Sequence, residues 1–458
     1  MEPLIFSIRL SLRKMVFTVC LTTLIFCVAF SQKQTYDMGI VAGTLINGTG
    51  NTPTHNKFIL INTGKIVDIV DADRRKEYHC KTLIHAHDKF IIPGLFDMHT
   101  HVTGPYKTLD TANGGRLIHG NDRAALEWGL RTFLYFGITN MRETGAYLNE
   151  EMQLKQDLEA NKIQGPHLFT CGPLIESGKP FLINISTVVN TEQEAIAEVQ
   201  RQAKAGVDII KIMADVPPNL AKVIIEEGHR NGKKVIGHLG TTSWFDAVKF
   251  GIDGLAHPPT FLYENFDPSS DSVRILLKTM KERKIENDPT IYPIKCLNRK
   301  DSAPAYLIHF LPEATRNGWA QINSAILNSI TNFDFDKPYT RTLKYVKTAY
   351  ELGVDILAGS DTYSINVFPG YSLHKELQEL SKAGIPNDSL IKIATYKAAE
   401  WLGVLNKTGT VEKGKDADLI ILNKNPLLNI ANTLEIDKVI QHGRVIKRDE
   451  LLISGNQK

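Results

Sequence analysis

Cysteine is scarce in this sequence, with five among 458 residues. Cys20 and Cys27 fall in the first 31 residues, which leaves Cys80, Cys171 and Cys296 as an odd, widely spaced set. That spacing excludes a disulfide framework, although one bridge among the three stays open because spacing alone cannot pair them. No long basic run interleaved with aromatics occurs beyond the N-terminus, and the net charge of +3 is close to balanced, so no nucleic-acid partner is implied. A hydrophobic content of 43% beside 22% charge excludes dominant disorder and suits a globular chain with a sizeable core.

The longest apolar run lies at the start. Arg9, Arg13 and Lys14 precede "MVFTVCLTTLIFCVAF", and Ala29 and Ser31 then place small residues before a cut after Ser31. Residues 1–31 are therefore expected to be a signal peptide that exports the chain, to the periplasm or the extracellular space, with no stable membrane association once it is cut. The alternative is an uncleaved anchor, since the run is only slightly shorter than the ~17 to 25 residues that span a bilayer. Phe26 directly before Cys27 argues against a lipid anchor.

Residues 32–92 and 406–458 read as short strands broken by Gly, Asn and Asp turns, as in "KFILINTGKIVDIV" and "IDKVIQHGRVIKR". These two segments are expected to form one composite β-sandwich domain. Between them, 93–405 alternates eight short apolar runs with helical patterns: "LFDMHTHV", "GITNMRETG", "PHLFTCGPLI", "VDIIKIMAD", "KVIGHLG", "IDGLAHPP", "IENDPTIYP" and "VDILAGSD". One intervening segment opens on the capping box Thr191-x-x-Glu194, places Ile196, Val199 and Ala203 on one face, and stops at Gly206. The alternation predicts an α/β fold, a (β/α)8 TIM-type barrel. A doubly wound open sheet would alternate similarly, but no G-x-G-x-x-G turn follows the first strand.

Such a barrel builds its active site at the C-terminal ends of its strands. His99 and His101 end the first strand, Lys211 lies in the fourth, and His238, His257 and Asp361 end the fifth, sixth and eighth. His99 and His101, two apart in a strand, point to one side and can converge on a metal ion. Each residue alone has a plain structural explanation: a frayed strand end, a hydrogen-bonded core histidine, a turn-capping aspartate. Six at one rim make that coincidence improbable. Lys211, between Ile210 and Ile212, faces a desolvation cost unless paired, and Asp215 or Asp361 would satisfy it as a structural lysine.

The ordered set "PGLFDMHTHV", "DIIKIMAD", "GHLG", "GLAHPP", "AGSDT" and "GTVEKGKDADLIIL" resembles the metal-dependent amidohydrolase superfamily, in its imidazolonepropionase-like and prolidase-like branch, from about Tyr36 to the C-terminus. The resemblance implies a binuclear centre: His99, His101, Lys211 and Asp361 around one divalent ion, and His238 and His257 with Lys211 around the other. It implies that Lys211 reacts with carbon dioxide or bicarbonate to give a bridging carbamate. Zinc suits these nitrogen and oxygen donors, with manganese, iron or cobalt as alternatives. Here "LIESGKPFLINISTVV" lacks the histidines that relatives often carry after the third strand, and "IYPIKCLNRK" departs as well, so family substrates do not transfer.

The expected activity is hydrolysis of an amide-like C–N bond in a small substrate, an Xaa-Pro dipeptide or an N-acyl amino acid, by a metal-bound hydroxide, with Asp361 as the proton carrier. Tyr292, Lys295 and Arg299 after the seventh strand, or Tyr106 and Arg116 after the first, are candidates to hold a substrate carboxylate. The same chemistry serves a lactonase, carboxylic esterase or phosphotriesterase. A non-catalytic binding protein is the remote alternative, and no missing ligand supports it. A homo-oligomer is compatible with the sequence.

Overall fold

The computed structural model describes residues 34–101, 106–110, 116–119, 123–180, 185–259, 266–298, 303–308, 311–330, 333–364 and 366–452. The expected signal peptide lies outside them, as does Arg299.

Four strands open the described chain: β1 (Thr35–Leu45), β2 (Thr54–Asn62), β3 (Lys65–Asp71) and β4 (His79–Pro93). They share one seven-stranded sheet with three strands from the other end of the chain, β17 (Leu419–Leu422), β18 (Ile436–Gln441) and β19 (Arg444–Val445), in the order β19-β18-β17-β4-β1-β2-β3. β4 pairs parallel with β1 and antiparallel with β17, so it joins the two ends of the sequence. Neighbouring residues turn to opposite faces, as strand geometry requires. Ile40, Ile59, Ile84, Leu419 and Ile440 enter one apolar cluster, while Val41, Phe58, Leu60 and Val70 enter another.

The middle of the chain is α/β. β5 (Leu95–Thr100), β8 (Ile138–Glu143) and β9 (His167–Thr170) form a parallel three-stranded sheet. A seven-stranded parallel sheet follows, made of β10 (Leu174–Glu176), β11 (Ser186–Val188), β12 (Ile209–Ile212), β13 (Lys234–Gly237), β14 (Gly254–Ala256), β15 (Glu286–Asp288) and β16 (Asp355–Ile356). Every residue of β5, β8 and β12 is buried, the polar ones such as Asp97, His99, Arg142, Glu143 and Lys211 included, as expected of parallel strands covered on both faces. Backbone bonds from Met98 N to Ala358 O and from Asp361 N to His99 O tie β5 to the segment after β16. Asp208 N to Thr170 O ties β9 to the approach of β12.

All eight expected apolar runs carry strands, the third of them split into β9 and β10 around Cys171 to Pro173. Among the described residues, the hairpin of β6 (Tyr106–Asp110) and β7 (Arg116–His119), the short strand β11 and a helix over Ile291–Leu297 were not anticipated. The capping box at Thr191 and Glu194 is present, and Gly206 closes that helix, Glu192–Ala205, at φ 95°. Its buried face centres on Ala195, Glu198, Val199 and Gln202, with Ile196 and Ala203 at the edge. No disulfide joins Cys80, Cys171 and Cys296.

Candidate metal centre

The C-terminal ends of the parallel strands gather the six residues. His99 is the fifth residue of β5, and His101 follows that strand, their ring centroids 5.4 Å apart. Asp361 Oδ1 lies 3.6 Å from His99 Nε2 and 3.5 Å from His101 Nε2, and one ligand atom from each of the three falls within 4.8 Å of the others. Asp361 is held there by its own N–H on His99 O, at 2.8 Å, with a left-handed φ of 55°. His257, just past β14, also has a left-handed φ, 61°, and its ring stands 4.8 Å from that of His99 and 4.4 Å from that of His238. Non-glycine residues seldom adopt this conformation, and where they do it concentrates at functional sites.

Lys211 rises from β12 into the group with 1% of its surface exposed. Its Nζ has no hydrogen-bond partner, and neither has His99 Nε2. The expected structural pairing of Lys211 with Asp215 or Asp361 is absent among the described ion pairs. Two buried polar atoms are thus left for something the protein chain itself does not supply. Burial, reinforced by the Lys211 charge, lowers the pKa of His238 to about 3 and those of His99 and His257 well below the usual imidazole range. Neutral imidazole is the form that ligates metal. Burial pushes Asp361 up to about 7, against the opposing pull of Lys211. Amine, imidazole and carboxylate together are a nitrogen and oxygen donor set suited to a divalent ion.

Behind this group lies a charged chain that the sequence did not announce. His99 Nδ1 lies 2.7 Å from Asp288 Oδ1, and Arg142 bonds Asp288 Oδ2 at 2.6 Å and Glu286 Oε1 at 2.8 Å. All four side chains are buried. His257 Nδ1 lies 2.7 Å from Thr290 Oγ1. The available signal was the polar triplet Glu286, Asn287 and Asp288, unusual in a short strand that is buried throughout.

The substrate candidates fall elsewhere. Tyr292 is buried with Cys296 and Val367, and Lys295 pairs with Glu379 at 3.1 Å, so neither joins the six. Tyr106 and Arg116 open β6 and β7, and their side chains lie outside the described residues.

A buried set of nitrogen and oxygen donors at the ends of parallel strands, beside a separate β-rich sheet, defines an α/β protein with a candidate metal centre. The sequence model of the amidohydrolase family matches residues 90–446, and the chain belongs to that family, as a hydrolase acting on carbon–nitrogen bonds. A curated relative, the ochratoxinase of Aspergillus niger, is 26% identical over 448 residues, covering 88% of this chain and 84% of its own. The crystal structure of that enzyme superimposes with a TM-score of 0.66 at 22% identity, over 90% of this chain and 96% of the other. A Xaa-Pro dipeptidase with bound methionine in its active site gives a TM-score of 0.67 at 24% identity, over 89% and 99%.

Proposed function

We propose that the chain hydrolyses an amide-like bond of a small substrate, an Xaa-Pro dipeptide or an N-acyl amino acid, at a binuclear centre held by His99, His101, Lys211, His238, His257 and Asp361. On this reading residues 93–405 close into a (β/α)8 barrel, a closure supported by the backbone bonds that link its two parallel sheets. Residues 32–92 and 406–458 form the composite β-domain, and the chain is exported after loss of residues 1–31.

The observation that carries the proposal is the convergence of neutral imidazoles and Asp361 on a fully buried, unpartnered Lys211 amine. Loss of one proton from the buried Lys211 ammonium gives the neutral amine, whose Nζ forms a C–N bond with carbon dioxide and releases a second proton, so that an isolated cation is replaced by the two oxygen donors of a carbamate. Two zinc ions bound by this set would supply Lewis-acid activation of water and of the substrate carbonyl.

The chain's own residues account for the remainder of the chemistry. Asp361 accepts a proton from the attacking water and returns it to the leaving nitrogen as the C–N bond breaks. Its place beside both His99 and His101 suits that transfer. The curated ochratoxinase and the solved Xaa-Pro dipeptidase support the amide class without fixing the substrate.

The test is product release from dipeptides and N-acyl amino acids, read by mass spectrometry, with the mature chain loaded with zinc and bicarbonate. Asp361→Asn should retain most bound metal and lose at least about a hundredfold in turnover. Silence across the library from metal-loaded protein would overturn the amide assignment.

A further inference from the structure

Strand β15 contributes none of the six ligands, yet it touches the partners of both halves of the proposed centre. Glu286 and Asp288 lie in the strand, and Thr290 follows two positions past its end. Asp288 meets His99 Nδ1 with its carboxylate and takes the His257 N–H on its backbone oxygen at 2.9 Å. Thr290 meets His257 Nδ1 with its hydroxyl. From this geometry we infer that β15 is the orienting strand of the metal centre. Asp288 and Thr290 accept the Nδ1–H of His99 and His257, and so fix both rings in the tautomer that leaves Nε2 bare for the metal. The inference rests on the binuclear reading above.

The chemistry of the partners sets the direction. The Arg142 guanidinium on Oδ2 favours the ionised form of the Asp288 carboxylate, and an ionised carboxylate only accepts, so on this reading His99 donates through Nδ1. His99 Nε2 is then unprotonated, and it is the atom that lacks a partner and faces Asp361 at 3.6 Å. The strand is itself braced. Arg142 spans Glu286 and Asp288 and also donates through Nε to Met98 O, so β5 and β15 are clamped by one side chain. Past Thr290, Glu376 accepts the N–H groups of Ile291 and Tyr292 at 2.9 and 2.7 Å, which pins the backbone that carries the hydroxyl. Thr290 sits at a left-handed φ of 44°, a conformation a β-branched residue holds only when its surroundings impose it. Ligating histidines are commonly tied in this way, and loss of the tie costs about tenfold to a hundredfold in metal affinity or activity.

Thr290 offers the cleaner experiment, because its substitution leaves no buried charge unpaired. Thr290→Val keeps the branched shape and removes the acceptor, whereas Thr290→Ser keeps the acceptor. Cobalt(II) affinity is measured by chelator competition and by the visible absorption of the bound ion, with Asp288→Asn in parallel. Thermal unfolding of each metal-free protein reports the fold separately. The expected result is that Thr290→Val loses about tenfold or more in affinity for one of two cobalt ions and changes its absorption band, while melting like the wild type. Thr290→Ser should restore both. Cobalt binding by Thr290→Val equal to that of the wild type would overturn the inference and leave the metal centre standing. Failure of the wild type to bind cobalt at all would overturn the binuclear reading, and the inference with it.

Discussion

At Gly359 the chain passes His99 so closely that a Cβ added there would lie 2.6 Å from His99 Cβ and 3.0 Å from its backbone nitrogen. Neither atom is the free end of a flexible side chain, so the strand that carries the ligand would have to move. Gly359→Ala is therefore expected to cost roughly 1–3 kcal/mol of stability, as overpacked cores do. It should weaken metal binding further by displacing His99, and chelator competition beside a melting curve would check both. Lys211 presents the opposite problem, a polar group with too little around it. Its burial was legible from "DIIKIMAD", because an ionisable side chain within a buried parallel strand stands out against its neighbours. Arg142, Asp288 and Thr290 gave no comparable signal. Their roles depend on which strands become neighbours across the site, and His99 and Asp288 are 189 positions apart.

Among the elements, legibility followed how local the determining physics is. The helix Glu192–Ala205 is specified at both ends by its own residues, with Thr191 accepting from Glu194 N and Gly206 supplying the left-handed cap. Thr191→Ala should cost about 1 kcal/mol, the usual value for a lost N-cap, and leave turnover unchanged because the helix end takes no part in the site. Urea unfolding and a rate measurement would test the pair of expectations. The helix Ile291–Leu297 escaped reading because Pro293 within it looks like a breaker, and because its first N–H groups are satisfied from Glu376, 84 and 85 positions further along. A proline in the first turn costs no intrahelical bond. The hairpin β6–β7 was hidden for a related reason: its strands pair with each other and join neither of the parallel sheets.

For the whole molecule, the alternation of apolar runs made the α/β character readable, and the match in character between the two terminal segments made their shared sheet readable. The seams between parts were not. One of them joins the helix Tyr371–Lys382 to the C-terminal segment, where buried His374 places Nδ1 2.9 Å from Thr433 Oγ1 and Nε2 2.9 Å from Phe136 O. Burial lowers the pKa of His374 from 6.5 to about 4. Between those values the unfolded chain binds the proton and the folded chain does not. The stabilising contribution is thus whole above pH 6.5 and lost as the pH falls through about 4. At roughly 1.4 kcal/mol per unit it amounts to about 3 kcal/mol. His374→Gln should flatten the fall in unfolding free energy between pH 7 and pH 4, and an unchanged slope would remove His374 from the acid response.

The sheet that joins both ends of the chain also sets a clock. Lys65 and Asp416, paired across it at 2.7 Å, are 351 positions apart, and β4 meets its neighbour β17 over a similar span. At about 5–20 residues per second, a ribosome needs roughly 20–70 seconds to deliver the second partner after the first. Throughout that interval β4 has β1 on one side and a bare hydrogen-bonding edge on the other, the kind of edge that recruits the wrong strand. Nascent chains halted before Leu419 should be cut by protease within β1 to β4, and chains released after Gln441 should resist. The order of synthesis, as much as the final packing, then decides how much of this protein reaches its native state.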